Sequence, residues 1–400
     1  MKAVTCTHAK LEVAELPDPV PGPGQVRIAV TRCGICGSDL HARHGIDAWA
    51  DMTARLGYDR FGRSDQPIVM GHEFTGEIAE YGPKTRRRLR PGTPVVALPM
   101  LRSPQGVDLT GLSLHAPGGY AEQLLVQEPL MFAVPNGLAP EIAAMTEPLA
   151  VAWHAVRRGD VGRRTVAIVI GCGPVGLGVI LMLKAKGVAT VVAGDPSPER
   201  RALAVACGAD FVVDPGERSP FTAAGDRGHL TRVPDALELS VSMSERLGRL
   251  PGWWHAWNLG EKLGAGPKLP VIFECVGVPG VINEVVLGAP MFSRVVVVGV
   301  CVGGDRFESA MAISKELELR FVFAYRAPEF YETLQMLGDG KVDPRPMITG
   351  TVGLGGVEAA FDALANPSGP DAHAKILVDP RSAATVPGQG PAGAPGDRLA

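Results

Sequence analysis

The sequence predicts an α/β protein of two domains: an irregular β-rich block, then a doubly wound parallel sheet with helices on its faces. Three observations predict it. The 400 residues exceed what one hydrophobic core ordinarily serves. Before about residue 150 the apolar residues fall in short alternating stretches between turns; after it they form continuous runs separated by helical stretches. A glycine-rich turn, Gly171-Cys172-Gly173-Pro174-Val175-Gly176, follows the first of those runs and opens a helix.

The elements follow in order. Gln25–Val30 alternates strictly, as a half-buried strand does, after turns at Pro17-Asp18-Pro19 and Pro21-Gly22-Pro23-Gly24. Residues 42–66 are polar and aromatic-bearing, part helix and part loop. Glu73–Ala79, Pro94–Leu98 and Ala121–Val126 read as further strands. In the second block, Thr165–Ile170 is apolar throughout, as a strand covered on both faces should be. A helix over Val175–Lys186 and a strand over Thr190–Ala193 follow. Ser197-Pro198-Glu199 reads as an N-cap, a first-turn proline and a first-turn acid, opening a helix to about Cys207. Phe211–Val213, Val271–Cys275 and Arg294–Val300 continue the sheet. Residues 215–268 interrupt it as a surface helical insertion carrying Trp253, Trp254 and Trp257, expected to pack as an anchor. Ala374–Val378 is the last strand-like stretch, and 381–400 is expected to be a disordered tail.

Composition excludes several classes. A net charge of −3 gives no electrostatic footprint for nucleic acid, and the run Arg86-Arg87-Arg88-Leu89-Arg90 before Pro91-Gly92 reads as a solvated turn. No apolar stretch is long enough to span a bilayer, and the N-terminus lacks the apolar core of a signal peptide. A cytoplasmic protein is expected, so the seven cysteines are not a disulfide scaffold.

The glycine turn has the fingerprint of a dinucleotide site. Gly171 permits the tight turn, Gly173 lets the backbone approach a pyrophosphate, and Gly176 allows close helix–strand packing, with Pro174 and Val175 between. The helix N-terminus offers free N–H groups to the phosphates. Asp195 ends the second strand, about 20 residues on. It would accept ribose hydroxyls and repel a 2′-phosphate, favouring NAD over NADP. Arg200 and Arg201 are close enough in sequence to meet such a phosphate and soften that preference.

Metal-ligand types occur in three separate segments: Cys33-Gly34-Ile35-Cys36-Gly37-Ser38-Asp39-Leu40-His41, Gly71-His72-Glu73 and Glu147-Pro148-Leu149. A catalytic zinc needs three protein ligands and an open position, and Cys36, His72 and Glu147 meet that requirement. Cys33, Asp39, Glu73 and His154 are the other candidates for the third ligand. Cys33, Cys6, Cys172, Cys207, Cys275 and Cys301 read as packing residues, His154 as structural and His44 as a solvated loop residue.

Taken together, Gly-Ile-Cys-Gly-Ser-Asp-Leu-His, Gly-His-Glu, Glu-Pro-Leu and Gly-Cys-Gly-Pro-Val-Gly resemble the zinc-containing medium-chain dehydrogenase/reductase family, in its sorbitol dehydrogenase-like branch. The likeness runs from about residue 1 to 380 apart from the inserts. It implies a GroES-like catalytic domain over 1–150, to which 326–380 return, and a Rossmann domain over 151–325. It implies hydride transfer between an alcohol, secondary or polyol-like, and NAD. By the same resemblance Cys36 and His72 are zinc ligands with Glu147 as the third. Glu73 is an adjacent or alternate ligand, and Asp39 orients the histidine. Ser38 and His41 form a proton relay, and Lys375 lies near the cofactor pyrophosphate. Partners are an alcohol or carbonyl substrate and further copies of the chain, as dimer or tetramer. Relatives often carry a second, structural zinc on four cysteines, but Leu98–Tyr120 contains none, so one zinc is expected. The length of 42–66, which borders the substrate cleft in the family, is a further departure. Two rivals stay open: a zinc-free quinone or enoyl reductase of the same superfamily, and a non-catalytic NAD-binding protein.

Overall fold

A computed structural model describes residues 1–225, 227–262, 269–301, 303–365 and 373–389. It divides into two compact units, Met1–His154 with Ala324–Ala400, and Ala155–Phe323.

The first unit contributes β1 (Lys2–Thr7), β2 (Lys10–Glu15), β3 (Gln25–Gly34), β4 (Ile68–Val69), β5 (Glu73–Tyr81), β6 (Pro94–Ala97), β7 (Met100–Ser103), β8 (Gly106–Leu109), β9 (Gln123–Gln127) and β10 (Met131–Ala133). The second contributes β11 (Val166–Ile170), β12 (Thr190–Gly194), β13 (Phe211–Val213), β14 (Val271–Glu274), β15 (Arg294–Val297) and β16 (Glu318–Phe321). The chain then returns to the first unit with β17 (Ile348–Val352), β18 (Lys375–Val378) and β19 (Gly388–Gln389).

In the first unit β3 is the organising strand. It pairs with β5, β9 and β18 in a sheet ordered β10-β6-β5-β3-β18-β17-β19. Its inward residues Val26, Ile28 and Val30 join Ile78, Val95, Leu124, Phe361 and Ile376 in the core. The stretch 42–66 is mostly helix: Gly37–Arg55 is helical with a kink at Gly45, and Trp49 stacks edge-on against Phe61 at 5.8 Å. Where the cysteines of a structural zinc are missing, Asp108 ties β8 to its surroundings, accepting from Arg60, Ser103 and Ser113.

The second unit is a six-stranded parallel sheet ordered β13-β12-β11-β14-β15-β16. β11 is apolar throughout because its side chains are buried on both faces of the sheet, and the helix Pro174–Ala185 buries seven residues. Ser197 caps the helix Pro198–Ala206 by accepting from Arg200 N at 3.2 Å. The insertion holds two helices, Val233–Leu247 and Trp253–Lys262, with Trp253 edge-on to Trp254 and Trp257; residues 226 and 263–268 lie outside the described residues.

The tail differs from expectation up to Gln389. β19 pairs antiparallel with β17, and Gly353 N donates to Ala384 O at 2.7 Å, so backbone pairing orders a stretch poor in apolar side chains. Residues 390–400 lie outside the described residues.

Candidate functional site

Register brings the metal-type residues together. Gly34, at the end of β3, pairs with Glu73, at the start of β5. Cys36 lies two residues past Gly34, and His72 immediately precedes Glu73. The turn before His72 requires glycine: Gly71 has φ +97°, and a Cβ there would press into the Tyr120 ring and Cys33 Sγ at 2.7–2.8 Å. Cys36 caps the helix Gly37–Arg55, so the helix start fixes the place of its side chain. One donor atom each from Cys36, His72 and Glu73 lies within 4.8 Å of the others. This is the only group of three or more such residues among the described residues.

The surroundings fix these groups. Asp39 is fully buried; its Oδ2 accepts from Cys36 N at 3.0 Å and Tyr120 OH at 2.6 Å, while Oδ1 faces His72 Nδ1 at 3.3 Å. That contact lacks hydrogen-bond geometry, leaving both atoms as buried polar groups without a partner. Burial works against charge on His72, but Asp39 and Cys36 outweigh it and hold the imidazole well above its usual range. The same burial acts against ionised Asp39, and His72 and Tyr120 reverse it, leaving the carboxyl low. His72 Nε2 is 3.3 Å from Ser38 Oγ. Ser38 and His41 are three apart on one helix, hence on one side of it, and His41 is exposed.

Two carboxylates compete for the third place. Glu73 has no exposed surface, and both its oxygens accept from Lys375 Nζ, at 2.7 and 2.8 Å. Glu147 lies in the first turn of the helix Thr146–Gly159, close enough to feel the charges of His72, Glu73 and Lys375, but outside the 4.8 Å group. Burial pushes its carboxyl up to about 7, against the pull of His72. The Tyr325 hydroxyl donates to it. Cys33 and His154 are withdrawn: Cys33 is fully buried with its thiol pushed up by burial, and His154 Nδ1 bonds Glu329 Oε2 at 2.9 Å.

Lys375 departs from expectation. The family resemblance implies a place near the pyrophosphate, yet its Nζ is spent on Glu73 and on Ile35 O at 2.9 Å, with no exposed surface. Burial opposes its charge, and Glu73 and Cys36 restore it. A fully buried ammonium with three acceptors has nothing left for a phosphate. Tyr120 and Tyr325 went unread in the sequence, where nothing marks either tyrosine as facing a carboxylate 81 or 178 residues away.

The second unit carries the glycine turn. Gly171 has φ +90°, a Cβ on Gly176 would collide with Gly171 O, and a Cβ on Gly173 would meet nothing within 4 Å. Gly173 is thus the open position, flanked by two glycines that packing demands. Asp195 is 3% exposed, its oxygens accepting from Cys172 N at 2.7 Å and Ser197 N at 2.9 Å. It braces the turn, and only its remaining lone pairs are free for ribose hydroxyls. Arg201 is not free as expected: one guanidinium nitrogen bonds Asp195 O, Pro196 O and Asp214 Oδ2. Arg200 keeps a buried Nε without a partner. An open cradle beside an unpaired guanidinium N–H fits a phosphorylated ribose ligand.

Comparison with known proteins follows the same division. Residues 22–136 match the alcohol dehydrogenase GroES-like domain, and 174–339 match the zinc-binding dehydrogenase family. The chain is 29% identical over 397 residues to (R,R)-butanediol dehydrogenase of Bacillus subtilis, covering 95% of this chain and all of that protein. It is 30% identical over 271 residues to erythritol/L-threitol dehydrogenase of Mycolicibacterium smegmatis, covering 60% of this chain and 73% of that protein. The crystal structure of 2R,3R-butanediol dehydrogenase from Bacillus subtilis superposes with a TM-score of 0.71 at 28% identity, over 95% of this chain and 99% of that one.

Proposed function

Because the chain belongs to the zinc-dependent medium-chain dehydrogenase/reductase family, we propose that it is an alcohol dehydrogenase oxidising a secondary alcohol or polyol with NAD. The observation that carries this reading is the convergence of Cys36, His72 and a buried carboxylate, backed by Asp39. Thiolate, imidazole and carboxylate together are a zinc donor set, and three protein ligands are the number that a catalytic zinc takes when its fourth position serves the substrate. Bound zinc supplies a Lewis acid for the substrate oxygen, and NAD supplies the hydride acceptor.

The chain's own groups do the rest. Cys36 and His72 hold the metal. Glu147 is the third ligand, since Glu73 is already neutralised by Lys375 while Glu147 is a buried carboxyl short of a countercharge. Asp39, 3.3 Å from His72 Nδ1, acts on the ring through its charge and would raise its basicity as a ligand. Ser38 takes the hydroxyl proton, and His41, exposed one helical turn on, returns it to solvent.

Asp195 supports NAD over NADP, because a buried carboxylate beside the ribose repels a 2′-phosphate. One zinc per chain follows from the absence of cysteine in Leu98–Tyr120. The family resemblance supports a cytoplasmic dimer or tetramer; no helix among the described residues is long and apolar enough to cross a membrane. A zinc-free reductase has no use for the donor set. A non-catalytic NAD-binding protein has none for a hydroxyl 3.3 Å from a ligating imidazole. The test is NAD reduction across a panel of primary, secondary and cyclic alcohols, with metal content measured on the same sample. Turnover of secondary alcohols by zinc-loaded protein is expected; no turnover of any alcohol would remove the reading.

A further inference from the structure

Glu274 ends β14 and is 1% exposed. Its Oε1 accepts from Val276 N at 2.7 Å and Gly277 N at 2.8 Å, closing the turn that follows. Its own carbonyl accepts from Val298 N at 2.8 Å and Gly299 N at 3.0 Å, in the turn after β15. The two turns meet backbone to backbone: a Cβ on Gly277 would press on Gly299 C and Val300 N, and one on Gly299 would press on Gly277. The turn after β11 joins them, since a Cβ on Gly171 would reach Val276 Cγ2 at 2.7 Å and Cys275 N donates to Ile170 O at 2.9 Å.

Glu274 is therefore the knot of three turns at the carboxyl edge of the sheet. It sits at the β11–β14 boundary, where the strand order reverses. In a doubly wound sheet a dinucleotide lies outside that edge. One mononucleotide lies on the half holding the glycine turn and Asp195, the other on the β14–β16 half. Val276, Val278 and Val300 present exposed apolar side chains in these same turns, a surface suited to a flat ring.

One feature of Glu274 has no structural use. Its Oε2 is buried and has no hydrogen-bond partner. The turn after β15 is held by the backbone carbonyl, and closing the turn after β14 needs only the acceptor at Oε1, which an uncharged glutamine would supply. A buried carboxylate with a free oxygen adds negative potential in a poorly screened place. Oxidised nicotinamide is a cation and reduced nicotinamide is neutral.

We propose that Glu274 is a positioning residue that holds the nicotinamide half of the cofactor site and biases it, through its charge, toward the oxidised ring. The inference rests on the reading of this unit as the NAD site.

The test measures equilibrium binding of NAD+, NADH and ADP to the native protein, Glu274→Gln and Glu274→Asp. Glu274→Gln keeps the acceptor for the two turn N–H groups and removes the charge. It should weaken NAD+ by roughly three- to thirtyfold relative to NADH, the size of one lost charge interaction at intermediate dielectric. ADP, bound on the other half, should be unchanged. Glu274→Asp retains the charge and should keep the native NAD+/NADH ratio even if both bind less tightly. Equal weakening of NAD+ and NADH by Gln would overturn the charge bias, and loss of ADP binding as well would reduce Glu274 to a folding residue. A native protein that binds ADP and neither dinucleotide would instead overturn the NAD reading beneath it.

Discussion

Replacing Lys375 with methionine tests the electrostatics of the metal pocket most sharply. The substitution keeps most of the side-chain volume and removes one charge. In the native protein Lys375 Nζ donates to Glu73 Oε1 at 2.8 Å, Glu73 Oε2 at 2.7 Å and Ile35 O at 2.9 Å, with neither partner exposed. Removing one member of a buried pair strands the other, at a cost of about 3–5 kcal/mol. Removing both with same-shaped neutral groups is far cheaper. Urea unfolding of metal-depleted protein should thus show Lys375→Met destabilised by about that amount, and Glu73→Gln/Lys375→Met by less than about half of it. Zinc should rescue the single variant more than the double one, because Glu73, freed from its partner, gains a countercharge. A single variant within about 1 kcal/mol of native, or a double variant worse than the single, would refute the view that Lys375 is there to neutralise Glu73.

Four further outcomes follow from the site. Glu147→Ala should lose most zinc on dialysis and most turnover, while Glu147→Cys keeps metal because thiolate also binds zinc; an alanine variant with full zinc would hand the role to Glu73. The metal-depleted protein should become less stable as pH rises from about 5 to 8. Glu147, pushed up to about 7 by burial from 4.5 unfolded, releases its proton in the fold at a cost of up to about 3 kcal/mol. His72, held high by Asp39 and Cys36 against burial, also loses its stabilising charge as pH rises through its folded value. Denaturant midpoints rising over that window would contradict this, and saturating zinc should flatten the profile. Asp195→Ser should raise NADP use, with Arg200 the available guanidinium, though also loosening the turn that Asp195 braces at Cys172 N; faster native turnover with NADP than NAD would negate the premise. Elemental analysis should give one zinc per chain, and two tightly held zincs would contradict it.

What the sequence made legible was what local pattern or short motif encodes. The strand before Gly171, the cap at Ser197 and the apolar run at Val271 each declare themselves within a dozen residues, and each stands in the fold within a residue or two of its expected bounds. The pairing of Cys36 with His72 was readable only through motif resemblance, because it depends on β3 meeting β5 in a particular register. Long-range partners left no trace. Nothing local marks Lys375 as Glu73's counter-ion across 302 residues, or Tyr325 as the donor to Glu147. Only the family resemblance implies a pyrophosphate contact for Lys375, and a resemblance carries no information on which way this side chain turns. The pairing of β18 with β3 and β17 puts it inside. The same limit applies to β19, whose Gly388 and Gln389 carry no strand signal and are ordered by backbone bonds to β17.

The central claim is that a metal held by Cys36, His72 and a buried carboxylate drives oxidation of a secondary alcohol by NAD. It is tested most directly by following NADH formation from the secondary alcohol or polyol of the panel that turns over fastest, before and after chelation. The account predicts turnover that disappears with the zinc, returns in proportion to zinc restored up to one equivalent per chain, and is abolished in Cys36→Ser. Undiminished turnover by metal-free protein would contradict it.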